Sequence, residues 1–204
     1  MATTVDIYSD YVCPFCLLAE EILTAELKNR RDVEVRWHPF ELRQYPTPTL
    51  RTEDEYLPRV WRSSVYPMAA RLGVDIKLPN ISPQPYTHTA FEGSFFAAEH
   101  DRANEYNVAV LRAFFQQERD IGNVDVLADV AAGVDLDKDE FRQALIDRKY
   151  RQAEKDAVQH AFELGITSVP TIFINGRMLC SGVPNRDTLR RALDSAASSR
   201  AVGS

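Results

Sequence analysis

Apolar and polar residues alternate in short runs near both ends of this chain, whereas the region between them has the spacing of helices. Near the N-terminus, VDIY is a short β-like run, residues 15–27 space their apolar side chains helically, and VEVRW at 33–37 alternates as a half-buried strand. Near the C-terminus, TIFI and RMLC flank Asn175-Gly176, the favoured pair of a two-residue type I′ turn, and an amphipathic helix follows at 185–193. The two ends therefore predict β–α–β and β–β–α.

The middle of the chain predicts crossing segments and then helices. Eight prolines from Pro39 to Pro85 disfavour sheet in that stretch. Beyond it, apolar residues recur every three or four positions, which predicts helices over 90–100, 108–118, 123–132 and 149–164, with another helix start at the capping-box pattern 137–140. Because so few strands make one sheet rather than two, the two ends belong to one small α/β domain, and the helical block is an insertion in it.

The boundaries of this organisation lie where the pattern changes. Residues 1–43 form the first part of the α/β domain, residues 44–157 the inserted helical domain and residues 158–195 the second part of the α/β domain. The small and polar residues 196–204 are expected to be a flexible tail.

Composition excludes several classes of partner. The formal net charge of −6 does not provide the basic face that nucleic-acid binding requires, so no nucleic-acid partner is expected. No run of residues approaches the roughly 18 uninterrupted apolar positions of a membrane span. The N-terminus also lacks the basic start and apolar run of a secretory signal. We therefore expect a cytoplasmic protein without a membrane partner.

The three cysteines, Cys13, Cys16 and Cys180, are too few for a disulfide scaffold. The CxxC pair can be a redox couple, part of a metal site, or two inert buried thiols. Zinc needs four ligands, and Cys180 with one of four scattered histidines would complete such a site only by accident of folding. We expect no metal and no organic cofactor.

The position of the CxxC motif favours redox chemistry. Pro14 suits the first turn of a helix, so Cys13 lies at or near the N-cap of the predicted helix. The unpaired amides and the dipole at that end favour a thiolate, which is the form of cysteine that attacks disulfides. Cys16, one turn further in, can reach back to Cys13 and release a mixed disulfide. Pro14 keeps the turn rigid, and Phe15 offers an apolar surface beside the sulfurs.

A second motif, Ser168-Val169-Pro170-Thr171, precedes the C-terminal hairpin, where a proline at the start of a strand can take the cis form. VDIYSDYVCPFC and GITSVPTIFINGRMLCSG, each followed by a helix, resemble the DsbA family of thioredoxin-fold proteins. WHPFEL and LRAFFQQERDIGNVDVLADVA resemble its FrnE-like branch, which includes 2-hydroxychromene-2-carboxylate isomerase-like members. This resemblance implies an α/β, thioredoxin-like fold with a large inserted α-helical domain.

The resemblance also implies roles for individual residues. It makes Cys13 the exposed nucleophile and Cys16 the buried resolving thiol of a redox-active disulfide. It makes Pro170 a cis-proline beside this pair, where the backbone would pair with an extended substrate as an added strand does. The substrate-binding residues that it implies are Pro14, Phe15, Val169, Pro170 and Thr171.

The implied function is a thiol–disulfide oxidoreductase that acts on protein disulfides or on disulfides of small thiols. The strongly oxidising periplasmic relatives place a histidine where this chain has Phe15, so we expect a less oxidising couple. The middle pair Pro-Phe is nearer the Pro-Tyr of glutaredoxins, which makes glutathione a candidate co-substrate. The protein is expected to be a monomer or a homodimer.

Two other functions stay open. The isomerase-like and kappa-type glutathione transferase relatives carry serine where Cys13 stands and use it to activate glutathione, so a glutathione-dependent isomerase or transferase is the alternative enzyme. A chaperone or partner-binding module that uses the cleft between the domains is the non-enzymatic alternative. The complete CxxC motif favours dithiol redox chemistry over isomerisation.

Some residues outside these motifs favour structural roles. Cys180, on the second hairpin strand, is expected to be a small core residue, with a regulatory thiol as the alternative. The basic residues Arg148, Lys149 and Arg151 predict a solvated face, with an anionic glutathione subsite as the alternative. The aromatic doublets predict core of the insert, although a few of these side chains could line the cleft above Cys13: Phe95, Phe96, Phe114 and Phe115.

Overall fold

The computed structural model describes residues 2–201 and contains strands at both ends of that range with helices between them. The strands are β1 (Thr3–Ser9), β2 (Val33–Pro39), β3 (Thr171–Ile174) and β4 (Arg177–Ser181). The helices are α1 (Pro14–Leu27), α2 (Tyr56–Val60), α3 (Tyr66–Leu72), α4 (His88–Glu99), α5 (Ala103–Phe115), α6 (Val124–Ala132), α7 (Lys138–Ile146), α8 (Arg151–Glu163) and α9 (Arg186–Ala201). One π-helical turn, Trp61–Val65, joins α2 to α3.

The strands form one four-stranded sheet in the order β2–β1–β3–β4. Strand β1 pairs in parallel with β2, whereas β3 is antiparallel to both β1 and β4. The hairpin between β3 and β4 turns at Asn175 and Gly176, whose φ angles of 48° and 74° are those that a type I′ turn requires. Because β1 lies beside β3, the prediction that the two ends of the chain complete one sheet is confirmed.

Apolar side chains of the two central strands pack against the first and last helices. Their cluster is fully or nearly fully buried and consists of Val5, Ile7, Ile22, Leu23, Ile172, Ile174, Leu189 and Leu193. Leu17 and Leu18, nearer the start of α1, belong instead to a larger cluster that includes Phe91, Phe114 and Phe115 of the helical block. Helix α1 therefore contributes to both cores, which fixes its N-terminus between the sheet and the inserted helices.

The last helix is longer than the helix predicted over 185–193 and includes the first residues of the expected tail. Helix α9 continues to Ala201 because Ala196 still packs against the core of the sheet, and Ser198 Oγ donates a hydrogen bond of 2.9 Å to the Asp194 carbonyl. Residues 202–204 of that expected tail lie outside the described residues.

Gly93 of α4 lies where its neighbours leave no room for a side chain. A Cβ atom there would lie 2.6 Å from Cζ of Phe141 and would also clash with the hydroxyl of Tyr106. We expect Gly93→Ala to lower the free energy of unfolding by about 1–3 kcal/mol, because a methyl group overfills this contact. Urea unfolding measures the loss. Gly133→Ala is the control, since the backbone φ of Gly133 is −66° and suits alanine. An equal loss in both variants would contradict the overfilling.

Candidate active site

The CPFC motif lies at the junction between β1 and α1, as the sequence predicts. Cys13 is the N-cap of α1, with extended backbone angles, and Pro14 takes the first helical position. The Cys13 amide donates to the Asp10 carbonyl at 3.1 Å, and the Cys16 amide donates to the Cys13 carbonyl at 3.0 Å. These bonds hold both cysteines in a tight turn at the helix N-terminus.

The resemblance implies that Cys13 is an exposed nucleophile. The structure corrects the exposure, because Cys13 is buried. Its exposed fraction is 5 %, against 2 % for Cys16. The reason is that Cys13 lies at the floor of a cleft, where the inserted part of the chain covers the start of α1. Both thiols are free rather than joined in a disulfide. A substrate can therefore reach Cys13 only through the cleft.

Cys16 lies behind Cys13 and is held in its protonated form. Burial raises the pKa of the Cys16 thiol well above its ordinary value, and the neighbouring Cys13 sulfur adds to the effect. The Ser9 hydroxyl and the Asp10 amide act in the opposite direction but are outweighed. At neutral pH the Cys16 thiol is therefore neutral.

The loop before β3 meets the CPFC turn from the far end of the sequence. The Cys13 Sγ donates a hydrogen bond to the Val169 carbonyl at 3.5 Å, and the Val169–Pro170 peptide bond is cis. Two further bonds fix the loop: the Thr171 hydroxyl donates to the Ser168 carbonyl, and the Gly182 amide donates to the Pro170 carbonyl, each at 2.7 Å. Pro170 and Thr171 are buried behind Val169 and do not line the cleft.

The cleft has a volume of about 470 Å³ and is lined mainly by apolar side chains. Four of the predicted site residues line it: Cys13, Pro14, Phe15 and Val169. Its opposite wall comes from the inserted part and was not predicted as a site: Leu50, Tyr56, Leu57, Val60 and Trp61. The apolar spacing of YLPRVW is the only signal in the sequence that could have indicated this wall.

The aromatic doublets lie elsewhere. Phe96, Phe114 and Phe115 are buried in the core of the inserted helices, and Phe95 packs against it. Their predicted core role is confirmed, whereas the alternative that a few of them line the cleft above Cys13 is wrong. The reason is that α2 and the π-helical turn, rather than α4 and α5, form the wall of the cleft.

Asp10 is a cleft residue that sequence reasoning missed. Its side chain lines the cleft with Cys13, yet its exposed fraction is only 1 %. Burial raises the pKa of the Asp10 carboxyl to about 7, although a hydrogen bond of 2.7 Å from the Leu42 amide to Oδ2 favours the charged form. The carboxyl thus exchanges its proton near neutral pH.

The three basic residues predicted as one solvated face have different surroundings. Lys149 and Arg151 are exposed, which agrees with the prediction. Arg148 is only half-exposed, and its Nε donates to both carboxylate oxygens of Glu92 at 2.9 and 3.1 Å. Because the Glu92 side chain is completely buried, Arg148 is part of the interior charge balance rather than a freely solvated cation.

Cys180 lies on β4 opposite Ile172, away from the residues that line the cleft. It is half-buried against the core of the sheet, its Sγ donates to the Gly182 carbonyl at 3.6 Å, and burial raises its pKa. Its packing agrees with the predicted structural role. In residues 2–201, no group of three or more histidine, cysteine or acidic side chains is arranged to hold a metal ion, and no helix is both long and apolar enough to cross a membrane.

A CxxC turn at the start of the first helix, facing a proline loop before an antiparallel strand, defines the class of thioredoxin-fold proteins. Residues 4–194 match the family model described as DSBA-like thioredoxin domain, and the chain belongs to that family. This confirms the DsbA-family membership that the sequence motifs imply.

One relative and two solved structures extend this comparison. The uncharacterized protein YwbO of Bacillus subtilis (strain 168) is 43 % identical over 195 residues, which cover 95 % of this chain and 96 % of that protein. A 2-hydroxychromene-2-carboxylate isomerase has a TM-score of 0.77 at 17 % identity, covering 98 % of this chain and 99 % of that one. The cytosolic disulfide reductase DsbM of Pseudomonas aeruginosa with GSH has a TM-score of 0.67 at 18 % identity, covering 97 % and 98 %. At these identities the two structures establish the fold.

Proposed function

We propose that this chain is a thiol–disulfide oxidoreductase that acts through Cys13 and Cys16 on disulfides of proteins or small thiols. The observation that carries the proposal is the meeting of two distant segments: Cys13 Sγ lies 3.5 Å from the Val169 carbonyl at the floor of an open cleft. A substrate sulfur that reaches Cys13 there has the loop before β3 beside it. Family membership supports the same class of chemistry.

The reaction follows from the different surroundings of the two thiols. In the reducing direction, the Cys13 thiolate attacks one sulfur of the substrate disulfide, and the other substrate sulfur leaves as a thiolate. Cys16 then loses its proton and attacks Cys13 Sγ, so that a Cys13–Cys16 disulfide forms and the second substrate sulfur leaves. Two electrons pass from the dithiol to the substrate. Two molecules of a small thiol, for which glutathione is our candidate, restore the dithiol as they become a disulfide.

The cleft suits a substrate that is extended and partly apolar. Of the loop before β3, Val169 lines the cleft, and its backbone would pair with an extended chain as an added strand does, which brings a disulfide beside Cys13. Pro14 and Phe15 offer apolar surface next to the sulfur, opposite the apolar wall of the insert. The lack of a cationic side chain at position 15 supports a couple that is less oxidising than one with histidine there.

A glutathione-dependent isomerase or transferase is the second candidate. The specific observation that favours it is the similarity to a 2-hydroxychromene-2-carboxylate isomerase over 98 % of this chain. Such an enzyme needs one activated thiol and has no use for a second cysteine. We prefer the dithiol function because Cys16 lies directly behind Cys13, one helical turn away, with its amide bound to the Cys13 carbonyl at 3.0 Å.

We further infer a cytoplasmic location. Three cysteines without a structural disulfide suit a reducing compartment, and a protein of the same fold is named a cytosolic disulfide reductase. Fractionation of the producing cells tests this inference, and recovery of the protein from the culture medium would contradict it.

Cys16→Ser separates the two candidate functions. In a dithiol mechanism, the variant still attacks the substrate but cannot release it, because serine cannot displace the mixed disulfide. We expect insulin reduction to fall at least about a hundredfold, with a mixed disulfide trapped on Cys13, since the uncatalysed release depends on an external thiol. Turbidity measures turnover, and mass spectrometry under non-reducing conditions detects the adduct.

Cys180→Ser is the matched control, because it also removes one thiol but lies outside the cleft; it should keep wild-type turnover. If Cys16→Ser instead keeps full glutathione-dependent turnover and accumulates no adduct, the single-thiol isomerase or transferase becomes the better description of the protein.

A further inference from the structure

A second cavity lies apart from the cleft that holds Cys13, and within residues 2–201 the two share no lining residue. Its volume is about 630 Å³, which is the size of a site for a small molecule. The segment after β2 borders both spaces, because Leu42 and Arg43 line the cleft whereas Glu41 and Tyr45 line the second cavity. Helix α8 supplies most of the other lining residues. The reaction of the two cysteines makes no use of this cavity.

Two buried carboxyl groups line this cavity, with exposed fractions of 8 % for Glu41 and 2 % for Glu154. Among the described residues, no group donates a hydrogen bond to Oε2 of Glu41 or to Oε1 of Glu154, and both atoms are buried. Polar atoms in protein interiors are normally hydrogen-bonded, because an unpaired one costs free energy. Rotation about one side-chain bond exchanges the two oxygens of a carboxyl group, so these acceptors can turn towards the cavity. The pair therefore offers acceptors for a donor from outside the chain.

The basic groups nearest to these two carboxyl groups do not hydrogen-bond with them. Arg148, before α8, instead donates its Nε to the two carboxylate oxygens of Glu92 at 2.9 and 3.1 Å. The His88 ring of α4 lies 3.7 Å from Glu41, beyond hydrogen-bond distance. Burial, followed by the charge of Glu41 and a hydrogen bond with it, raises the pKa of Glu154 to about 8. At neutral pH the pair therefore keeps a proton, which a bound cation would displace.

The other charged groups at the cavity belong to the same helix as Glu154. Arg151 and Lys155 lie on either side of it along α8, and both are exposed, as is Asp156. Two cations at the rim and two carboxyl groups further in are complementary to a molecule with opposite charges at its two ends. An ammonium group suits the inner pair, because its three N–H donors can serve oxygens of two carboxyl groups at once.

We propose that this cavity binds a small molecule with a primary ammonium group at one end and a carboxylate at the other, and that Glu41 and Glu154 accept the N–H groups of the ammonium. Arg151 and Lys155 attract the carboxylate, which contributes less because solvent screens exposed charges. In residues 2–201 no group of three or more histidine, cysteine or acidic side chains is arranged to hold a metal ion, so an organic cation suits the pair better. The proposal goes beyond the proposed function and depends on neither cysteine of the CPFC motif.

Isothermal titration of the wild-type protein at pH 8.5 tests the proposal with 4-aminobutanoate, butylamine and butanoate. The last two probes each keep one charged end of the first. We expect 4-aminobutanoate to bind with a Kd of about 1 mM or lower, a range open to so small a molecule, and butylamine to bind a few times more weakly. Butanoate should not bind. Failure of both amines to bind at about 10 mM, or equal binding of butanoate and 4-aminobutanoate, would overturn the proposal.

Glu154→Gln removes the charge, keeps the shape of the side chain and can still donate a hydrogen bond to Glu41. We expect it to weaken 4-aminobutanoate binding at least about tenfold, the effect of losing a charged hydrogen-bond acceptor. Because ionisation of Glu154 weakens folding, the variant should be at least as stable to urea as wild type at pH 8.5. Glu163→Gln is the control, since it makes the same change at an exposed position of α8 that does not line the cavity. Equal affinity in Glu154→Gln and Glu163→Gln would contradict the proposal.

The pH dependence of binding tests the same contact in the wild-type chain, without a substitution. An ammonium group favours the ionised carboxyl group, and a carboxyl group with a pKa of about 8 is about one-tenth ionised at pH 7 and about three-quarters ionised at pH 8.5. We therefore expect 4-aminobutanoate to bind about eightfold more tightly at pH 8.5 than at pH 7. Titrations in buffers of different ionisation enthalpy should also detect a released proton at pH 7. An affinity that does not change with pH, or binding without proton release, would overturn the proposal.

Discussion

Replacing Cys13 with serine is expected to abolish disulfide reduction, lowering turnover by roughly a thousandfold or more, the scale on which the loss of a covalent nucleophile acts. Of the described cysteines, only Cys13 lines the cleft. Cys16 cannot replace it, because burial keeps that thiol protonated and out of reach of a substrate disulfide. A serine hydroxyl fills the same space but forms no bond to a disulfide sulfur. Insulin reduction with glutathione as the electron source measures the loss.

The same variant also distinguishes dithiol chemistry from its single-residue alternative. A serine at this position would match the pattern of the isomerase-like relatives, so glutathione binding could survive while reduction is lost. Isothermal titration with glutathione, beside the turnover assay, separates these two properties. Cys180→Ser again provides the control for the loss of one thiol. Turnover above a tenth of the wild-type rate in Cys13→Ser would contradict the assignment of Cys13 as the nucleophile.

Local signals made the core of the site predictable from sequence. Pro14 after Cys13 indicates a helix start, and the helix does begin there. Asn175-Gly176 indicates a tight hairpin, and both residues adopt the positive φ angles that this turn needs. These signals depend on the backbone preferences of one or two residues, so they hold without knowledge of the rest of the fold. The sequence therefore correctly indicated that the CPFC turn and the loop before β3 belong to one site.

The features that the sequence could not predict depend on contacts between distant segments. Nothing local to Cys13 indicates that the chain around Trp61 covers it, so its burial at the floor of a cleft was missed. From the sequence alone, Asp10 is an ordinary turn residue. Only the structure shows that its side chain accepts the Leu42 amide. Arg148 was predicted to be a solvated charge because its partner, Glu92, is far away in sequence. In each case tertiary packing overrides the local pattern.

The charge balance around Glu92 gives the largest stability effect that we expect. Glu92 is fully buried on α4, and Arg148, just before α8, forms a two-pronged pair with it. Glu41 and Glu154 lie nearby, and burial together with Glu41 raises the pKa of Glu154 to about 8. Arg148 acts against this rise. One arginine thus compensates a cluster of three carboxyl groups that joins the end of β2 to α4 and α8.

Arg148→Ala is expected to lower the free energy of unfolding by about 2–3 kcal/mol at pH 8. Removing one partner of a buried pair costs about 3–5 kcal/mol, and the 38 % exposure of the Arg148 side chain reduces that figure through solvent screening. Urea unfolding measures the loss. Arg151→Ala, which removes an exposed arginine three residues away, should change stability by less than about 0.5 kcal/mol.

The pH dependence of this loss follows from the same charges. The pKa of Glu154 is higher in the folded than in the unfolded chain, so the folded state binds more protons between about pH 4 and 8, and ionisation of Glu154 weakens folding as the pH rises through that window. Without Arg148 the pKa of Glu154 rises further, and the carboxylate of Glu92 loses its partner. The stability difference between wild type and Arg148→Ala should therefore be smaller at pH 5 than at pH 8. An equal difference at both pH values would mean that Arg148 stabilises the fold through its packing rather than its charge.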